Sequence, residues 1–414
     1  MRILFLAHRF PFPPNKGDKI RSFNILKYLA ARHEVYLGCL IDDPADVQAV
    51  PQLAEQVRGL AFSVIHPRLQ KARALSALLR SRSITLDYFY SSSLQRQVDA
   101  LIRERQIEAV FCSSSPMAEY VFRSRHWNGP LERCKRVMDL IDIDSLKWAQ
   151  YARSSPPWKA WIYRHEARHL AAYEQRIGAA FDRLYVVSES EKNHFPGGTA
   201  DADIHAISNG VDLEYFTPSP GLAQDTADAP GVPRIVFTGV MDYWPNVEGV
   251  RWFVESVLPG IRAAVPGVQF FIVGSRPTAD VRRLQGDGIT VTGFVNDVRE
   301  YVRSADVCVA PLRIARGVQN KILEAMAMGK AMVTTPQGHE GLQARVGEEI
   351  AVAEAPRDFA AAVIELLQHR DKAARIGASA RRCVERHYSW DQNLRALDDA
   401  LPTGVSLDLA RAAG

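Results

Sequence analysis

The chain has 414 residues, 47% apolar and 24% charged, with a formal net charge of +4. That balance belongs to a globular protein of about two or three domains and excludes bulk disorder. A charge of +4 is too small to argue for a nucleic-acid partner, and no apolar run reaches the roughly 18 residues that a membrane span needs. The charge is uneven: residues 1–205 carry 29 Lys and Arg against 22 Asp and Glu, whereas residues 206–414 carry 22 against 25. The basic half suits an anionic surface or substrate. None of the five cysteines forms a Cys-x-x-Cys pair, and Cys39, Cys112 and Cys308 lie in or beside apolar runs, so buried reduced thiols and a cytoplasmic setting are expected. Met1-Arg2 leads straight into the run Ile3–Ala7, so neither a signal peptide nor an anchor is expected.

The first half alternates strands with helices. Residues 2–7 read as a strand, a polar loop follows, Lys19 to Arg32 reads as a helix, and Glu34 to Ile41 as the next strand. Further strands are predicted at Ala61–Ile65, Ala109–Ser113, Arg136–Leu140 and Arg183–Val187. Such alternation implies parallel strands joined by right-handed crossovers. The first loop, His8-Arg9-Phe10-Pro11-Phe12-Pro13-Pro14-Asn15-Lys16-Gly17-Asp18-Lys19, holds four prolines, which stiffen it, and Gly17, which lets backbone approach a ligand at the following helix. Asp18 and Lys19 are candidates beside it, with helix capping the alternative for Asp18. His66 to Arg82 interleaves basic with apolar residues as an amphipathic helix, and Trp158, Trp161 and Tyr163 add aromatic weight elsewhere in this half. These faces suit either anionic lipid headgroups or a core-packed helix with a solvated basic side. Val137 to Ser145 puts Asp139, Asp142 and Asp144 at and beyond a strand end.

Thr217 to Pro233 is rich in Pro, Gly, Ala and Asp and reads as a linker or exposed loop. The alternation then restarts with strands at Arg234–Gly239, Gln269–Gly274, Ile289–Gly293 and Val307–Pro311, and a helix at Val247–Leu258. Residues 314–329, Ile-Ala-Arg-Gly-Val-Gln-Asn-Lys-Ile-Leu-Glu-Ala-Met-Ala-Met-Gly, join a glycine-containing loop to a short amphipathic helix. Val318, Ile322, Leu323 and Met326 recur at helical spacing, leaving Gln319, Asn320, Lys321 and Glu324 for chemistry. The first-turn N–H groups of such a helix lack internal partners and carry the positive end of its dipole, so phosphate fits there.

That stretch resembles the donor-binding segment of the retaining GT-B glycosyltransferases of family 4. In their Glu-Ala-Met-Ala-x-Gly pattern the Glu, here Glu324, holds the ribose of a nucleotide sugar. A second Glu of the pattern, eight residues earlier, is replaced by Arg316. The loop Thr238 to Asn246 stands where many relatives carry an Arg and a Lys for the diphosphate, and both are absent. The resemblance therefore implies compensation, with Arg316 and Lys321 as counter-charges and Gly239 and Asn246 lining the site. Asn209-Gly210-Val211-Asp212 matches the family's segment at the domain junction, with a tight turn the alternative reading. His387-Tyr388-Ser389-Trp390 resembles its aromatic tail, after which a last helix would bury Leu394 and Leu397. Many relatives also carry a His near the reacting sugar; Asp142 is the substitute here. The first loop and the Arg-Gly-Val-Gln-Asn-Lys helix resemble, in particular, the exopolysaccharide sugar transferases associated with PEP-CTERM/EpsH1-type export systems.

The expected fold is α/β of the GT-B kind: two Rossmann-like doubly wound domains facing across a cleft, with a C-terminal helix crossing back. Expected divisions are 1–205 for acceptor binding, 206–232 as an interdomain segment, 233–386 for the nucleotide sugar and 387–414 for the crossover helix and tail. The implied activity is retaining transfer of a glycosyl unit, of the hexosyltransferase type, to a glycan or lipid-linked acceptor at the inner face of the cytoplasmic membrane. The departing diphosphate itself would take the acceptor proton. No cofactor or metal is expected, since Asp142-x-Asp144 lies outside any GT-A context. A non-catalytic scaffold and a sugar-nucleotide epimerase of the same fold are the alternatives.

Overall fold

The computed structural model describes residues 1–67, 70, 78, 81–153, 155–198, 202–218, 231–315 and 317–403. The expected amphipathic helix at His66 to Arg82 lies mostly outside these residues, as does Arg316. Two compact units form, one from Met1–Ile207 together with the chain from Leu394 onward, the other from Ser208–Asn393. The described part of the expected interdomain segment 206–232 therefore packs, from Ser208 on, with the second unit. The return to the first unit begins at Leu394 and is made by one helical turn, Trp390–Leu394, and a 3-10 turn, Arg395–Leu397, instead of a long helix. Leu394 and Leu397 are buried there, and Tyr28 and Tyr185 donate their hydroxyls to Asp398 and to the Ala396 carbonyl at 2.8 and 2.9 Å.

The first unit holds a seven-stranded parallel sheet ordered β3-β2-β1-β4-β5-β6-β7. Its strands are β1 (Arg2–Ala7), β2 (Glu34–Ile41), β3 (Gly59–Val64), β4 (Ala109–Ser113), β5 (Lys135–Ile141), β6 (Arg183–Val186) and β7 (Ile204–Ala206). Ile3 to Ala7 and Ala109 to Cys112 are fully buried, as continuous apolar runs covered on both faces should be. The helix after β1 begins at Gly17, two residues before the expected start, and ends at Ala30.

The second unit holds a six-stranded parallel sheet ordered β10-β9-β8-β11-β12-β13. These are β8 (Arg234–Thr238), β9 (Gln269–Val273), β10 (Ile289–Gly293), β11 (Val307–Ala310), β12 (Met332–Thr334) and β13 (Ala351–Val352). The strands β7, β12 and β13 have two or three residues each, too short to announce themselves by period. The expected helix from Val247 starts earlier, at Trp244, and passes through a π-helical turn at Phe253–Val257 before Leu258–Ala264.

Winding reverses between β1 and β4 in one sheet and between β8 and β11 in the other. At such a reversal the loops leave in opposite directions and open a crevice at the carboxyl ends of the strands. A buried ion pair anchors one side of the first crevice. The Arg21 guanidinium, on the helix after β1, grips Asp139 in the middle of β5 with Nη2 at 2.7 Å and Nε at 2.8 Å, and Nη1 donates to the Ile207 carbonyl at 2.8 Å. Both side chains are almost wholly buried. Arg21→Met leaves the Asp139 charge alone and is expected to cost about 3–5 kcal/mol, read from urea denaturation of the first unit, whereas Arg21→Met with Asp139→Leu recovers most of it.

Candidate functional site

In the second unit, β8 ends at Thr238 and Gly239 follows, its N–H donating to the Val273 carbonyl at 3.0 Å. Backbone crowding forbids side chains here: a Cβ on Gly274, whose φ is +146°, would lie 1.7 Å from the Gly239 carbonyl. A Cβ on Gly239 would lie 2.7 Å from Asn246 Nδ2 and 3.0 Å from Lys321 Nζ. Three residues from three segments therefore converge. Asn246, in the first turn after the loop, donates to the Val240 carbonyl at 2.9 Å and accepts from Lys321 Nζ at 2.5 Å. Lys321 opens the Asn320–Ala327 helix after β11 and also sits 4.4 Å from the centroid of the Phe237 ring.

That helix buries Ile322, Leu323, Ala325, Met326 and Ala327, the face that its spacing predicted together with Val318. Gln319 precedes it in extended conformation, without a side-chain cap bond. Asn320 Oδ1 accepts from Asn209 Nδ2 at 3.0 Å, which ties the segment after Ser208 to the head of the helix. Gly210 has a packing role, since a Cβ there would lie 2.7 Å from the Trp390 ring. Lys321 and Glu324 stand three residues apart and half-buried. Burial pushes the Lys321 ammonium down to about 7, with Glu324 opposing the shift, and pushes the Glu324 carboxyl up to about 7, with Lys321 opposing. Of the sequence-predicted residues, Asn209 thus bonds Asn320 and Asn246 bonds Lys321 beside Gly239, while Gln319 occupies the N-cap position of the same helix and Glu324 lies one turn along it. They bring helix N–H groups and an ammonium held near neutrality together beyond the end of β8, a combination that suits an anion.

In the first unit the crevice holds a second polar cluster. His8 and Arg9 leave β1, and both meet Asp18: Nε2 of His8 at 3.3 Å and Nη1 of Arg9 at 2.9 Å. Arg9 also pairs with Asp42, beyond β2, at 3.1 Å. Burial pushes the Asp18 carboxyl up, but His8, Arg9 and the Lys19 N–H reverse this and hold it well below the usual carboxylate range. Gly17 opens the helix and is exposed. Lys19, expected on the acceptor side, turns the other way: its Nζ is buried against Asp46 at 2.6 Å, a structural ion pair. A helix places residues 18 and 19 about 100° apart, so one of them had to face the interior.

Past β4 and β5 the backbone leaves its regular path, with Ser114 at φ +82° and Ile141 at φ +68°. A β-branched residue in that region is strained. The register between β5 and β6 slips at the same place, which re-aims the following residues. Asp142 emerges half-buried, and its carboxyl is pushed up to about 7 by burial, with Lys147 opposing and Glu191 and Asp144 adding to the rise. Asp144 accepts from Ser115 Oγ at 2.9 Å and from Lys147 Nζ at 2.6 Å. Burial raises Asp144 too, but these two partners and His8 bring it below its ordinary value. His8 Nδ1 and Ser113 Oγ are buried polar atoms with no hydrogen-bond partner among the described residues. The residues His8, Arg9, Ser115 and Lys147 were missed in the sequence; the first three stand just past strand ends, where a doubly wound sheet gathers polar groups, but their contacts with Asp18 and Asp144 are not encoded locally.

Residues 232–369 match the family model described as glycosyl transferases group 1. A GDP-mannose-dependent α-(1-6)-phosphatidylinositol monomannoside mannosyltransferase of Mycobacterium tuberculosis is 27% identical over 319 residues, 73% of this chain and 77% of that protein. The chain superposes on sucrose-phosphate synthase of Thermosynechococcus elongatus with a TM-score of 0.72 at 17% identity, covering all of both chains. The chain is a glycosyltransferase of the GT-B fold. HepE of Anabaena, solved with UDP-glucose, shares this transferase's fold with a TM-score of 0.68 at 16% identity, over 97% of this chain and 99% of that one.

The shifted pair in the second unit has a thermodynamic signature. Lys321 ionises in the folded transferase only below about 7, against an ordinary value of 10.5. The penalty for holding its ammonium is therefore complete below pH 7 and fades as pH rises towards 10.5. Lys321→Met is expected to raise the melting temperature by several degrees at about pH 6 and by less at about pH 9, a difference that differential scanning calorimetry reads.

Proposed function

We propose that this transferase moves a sugar, with retention, from a nucleotide diphosphate sugar to a glycan or lipid-linked acceptor of exopolysaccharide or cell-surface glycan synthesis, working on the cytoplasmic side of the membrane. The observation that carries the donor reading is Lys321 at the head of the Asn320–Ala327 helix, beside Asn246 and Gly239 at the reversal between β8 and β11. The diphosphate lies against the helix N–H groups with Lys321 as its counter-charge, and Arg316, eight residues before Glu324 in the same motif, supplies a second cation. Glu324 holds the ribose. Asn209, Gly210 and Gln319 complete the lining. No metal or cofactor enters this reading, because the cations are supplied by side chains.

Catalysis then consists mainly of stabilising the charge that develops on the leaving diphosphate. A single preorganised donor of that kind is commonly worth about 10²–10³ in turnover. On the acceptor side, Asp142 lies near neutrality and can hold or release a proton at working pH, while Asp18 and Asp144 stay ionised and orient hydroxyl groups. The mycobacterial relative makes GDP-mannose the first donor to test, and the HepE complex makes UDP-glucose the second.

The decisive experiment measures free GDP or UDP released from each donor with and without a membrane extract as acceptor. Acceptor-dependent release is expected. Tight binding without release from any donor would make the chain a scaffold, and conversion of the donor sugar without its loss from the nucleotide would make it an epimerase. Lys321→Met is expected to lower turnover about 10²–10³-fold. Because bound diphosphate favours the ammonium, binding of GDP or UDP at about pH 8 should take up a proton at Lys321. Calorimetry in two buffers of different ionisation enthalpy reads that uptake, and it should vanish in Lys321→Met.

A further inference from the structure

We propose that the start of the Pro157–Ala180 helix is a docking face for an anionic lipid bilayer. Trp158 and Trp161 are 66% and 59% exposed. Three residues apart on a helix, they share one side. That helix has a full complement of buried residues on its other side, Ala160, Glu166, Leu170, Tyr173, Glu174 and Ile177, so the two indoles are surplus to the core. Exposed aromatic rings next to one another lose free energy in water unless something covers them.

The charge around the indoles selects the cover. Between residues 153 and 168 the exposed charged side chains are Arg153, Lys159, Arg164 and Arg168, and the ammonium of Lys159 lies 5.1 Å from the Trp158 ring centroid. Glu166 is the one acid of the segment, and it is buried: it accepts from Ser83 Oγ at 2.6 Å and from the Ile84 and Thr85 N–H groups at 2.7 and 2.9 Å. Four exposed cations and no exposed carboxylate flank two indoles. Tryptophan settles at the headgroup level of a bilayer, where its ring is apolar and its N–H stays wet, and each basic residue near an anionic leaflet strengthens attachment about fivefold. Cations with no exposed carboxylate among them select a surface of one negative sign, which an anionic leaflet presents. Among the described residues no helix is long and apolar enough to cross a membrane, so contact here would be peripheral.

The face also has a relation to the acceptor reading, on which only its purpose rests. The Asp144–Arg153 helix runs from the Asp144 and Lys147 cluster to Arg153, ten residues and thus about 15 Å. A lipid-linked acceptor entering the crevice of the first unit would keep its anchor in the surface on which the indoles rest.

The test is co-sedimentation of the full chain with vesicles of phosphatidylcholine alone or with about a third phosphatidylglycerol, with no donor or acceptor present. Binding to the anionic vesicles, at least about tenfold weaker to neutral ones, is expected, with a blue shift of tryptophan emission. Trp158→Ala with Trp161→Ala should lose about tenfold or more of that binding, and Lys159→Glu with Arg164→Glu should lose its lipid-charge dependence. GDP or UDP binding should stay unchanged in both double variants, which shows that they fold and separates this proposal from the transferase reading. Equal binding of wild type and the tryptophan variant would overturn it. So would self-association in sedimentation equilibrium that the tryptophan variant abolishes, since that assigns the face to a second copy of the chain.

Discussion

Everything that makes this molecule a candidate catalyst depends on a constraint of parallel sheets: every strand sends its carboxyl end to the same edge. Where the winding reverses, between β1 and β4 and again between β8 and β11, the loops part and open a crevice at the strand ends. Each unit brings charged residues together there. In the second unit the result is one lysine held among Asn246, Gly239 and Phe237. In the first it is a network in which His8, Arg9, Asp18, Asp42, Asp144 and Lys147 balance one another.

The two crevices solve their electrostatics differently. The first keeps its ionised groups as pairs, so that Asp18 and Asp144 stay charged although buried, and concentrates the unpaired tendency in Asp142. The second holds a cation and an acid that share a low-dielectric surrounding without an intervening bridge of the Arg21–Asp139 kind, and both drift to about 7. A lysine whose ammonium burial pushes down to about 7 is costly to fold, a burden typical of residues kept for binding.

Much of this was legible in the sequence, for reasons that differ by residue. Continuous apolar runs such as Ile3–Ala7 and Val307–Ala310 announced buried parallel strands, and the spacing of Ile322, Leu323 and Met326 announced which side of their helix was free. Lys321 was recognisable as a candidate because the motif around it carried a glycine and a helix start, and Asn246 because its loop stands where the resembled family carries diphosphate-binding residues. Lys19 misled, because successive helix residues point about 100° apart, and only the packed structure shows that Lys19 rather than Asp18 turns inward, against Asp46. His8 and Lys147 stayed hidden because their significance comes from contacts with Asp18 and Asp144 across loops, which no local pattern encodes. The short strands β7, β12 and β13 are held by ladder partners rather than by their own two or three residues.

All five cysteines lie buried and unpaired, and burial pushes each thiol above its ordinary value. A thiol reacts as its thiolate, so these five are slow towards maleimides and mild oxidants at neutral pH. The native chain therefore serves as its own cysteine-silent background. A cysteine introduced at an exposed position of each unit would take a fluorophore selectively, and the distance between two such dyes would follow the units through a catalytic cycle in a protein that needs no prior thiol removal.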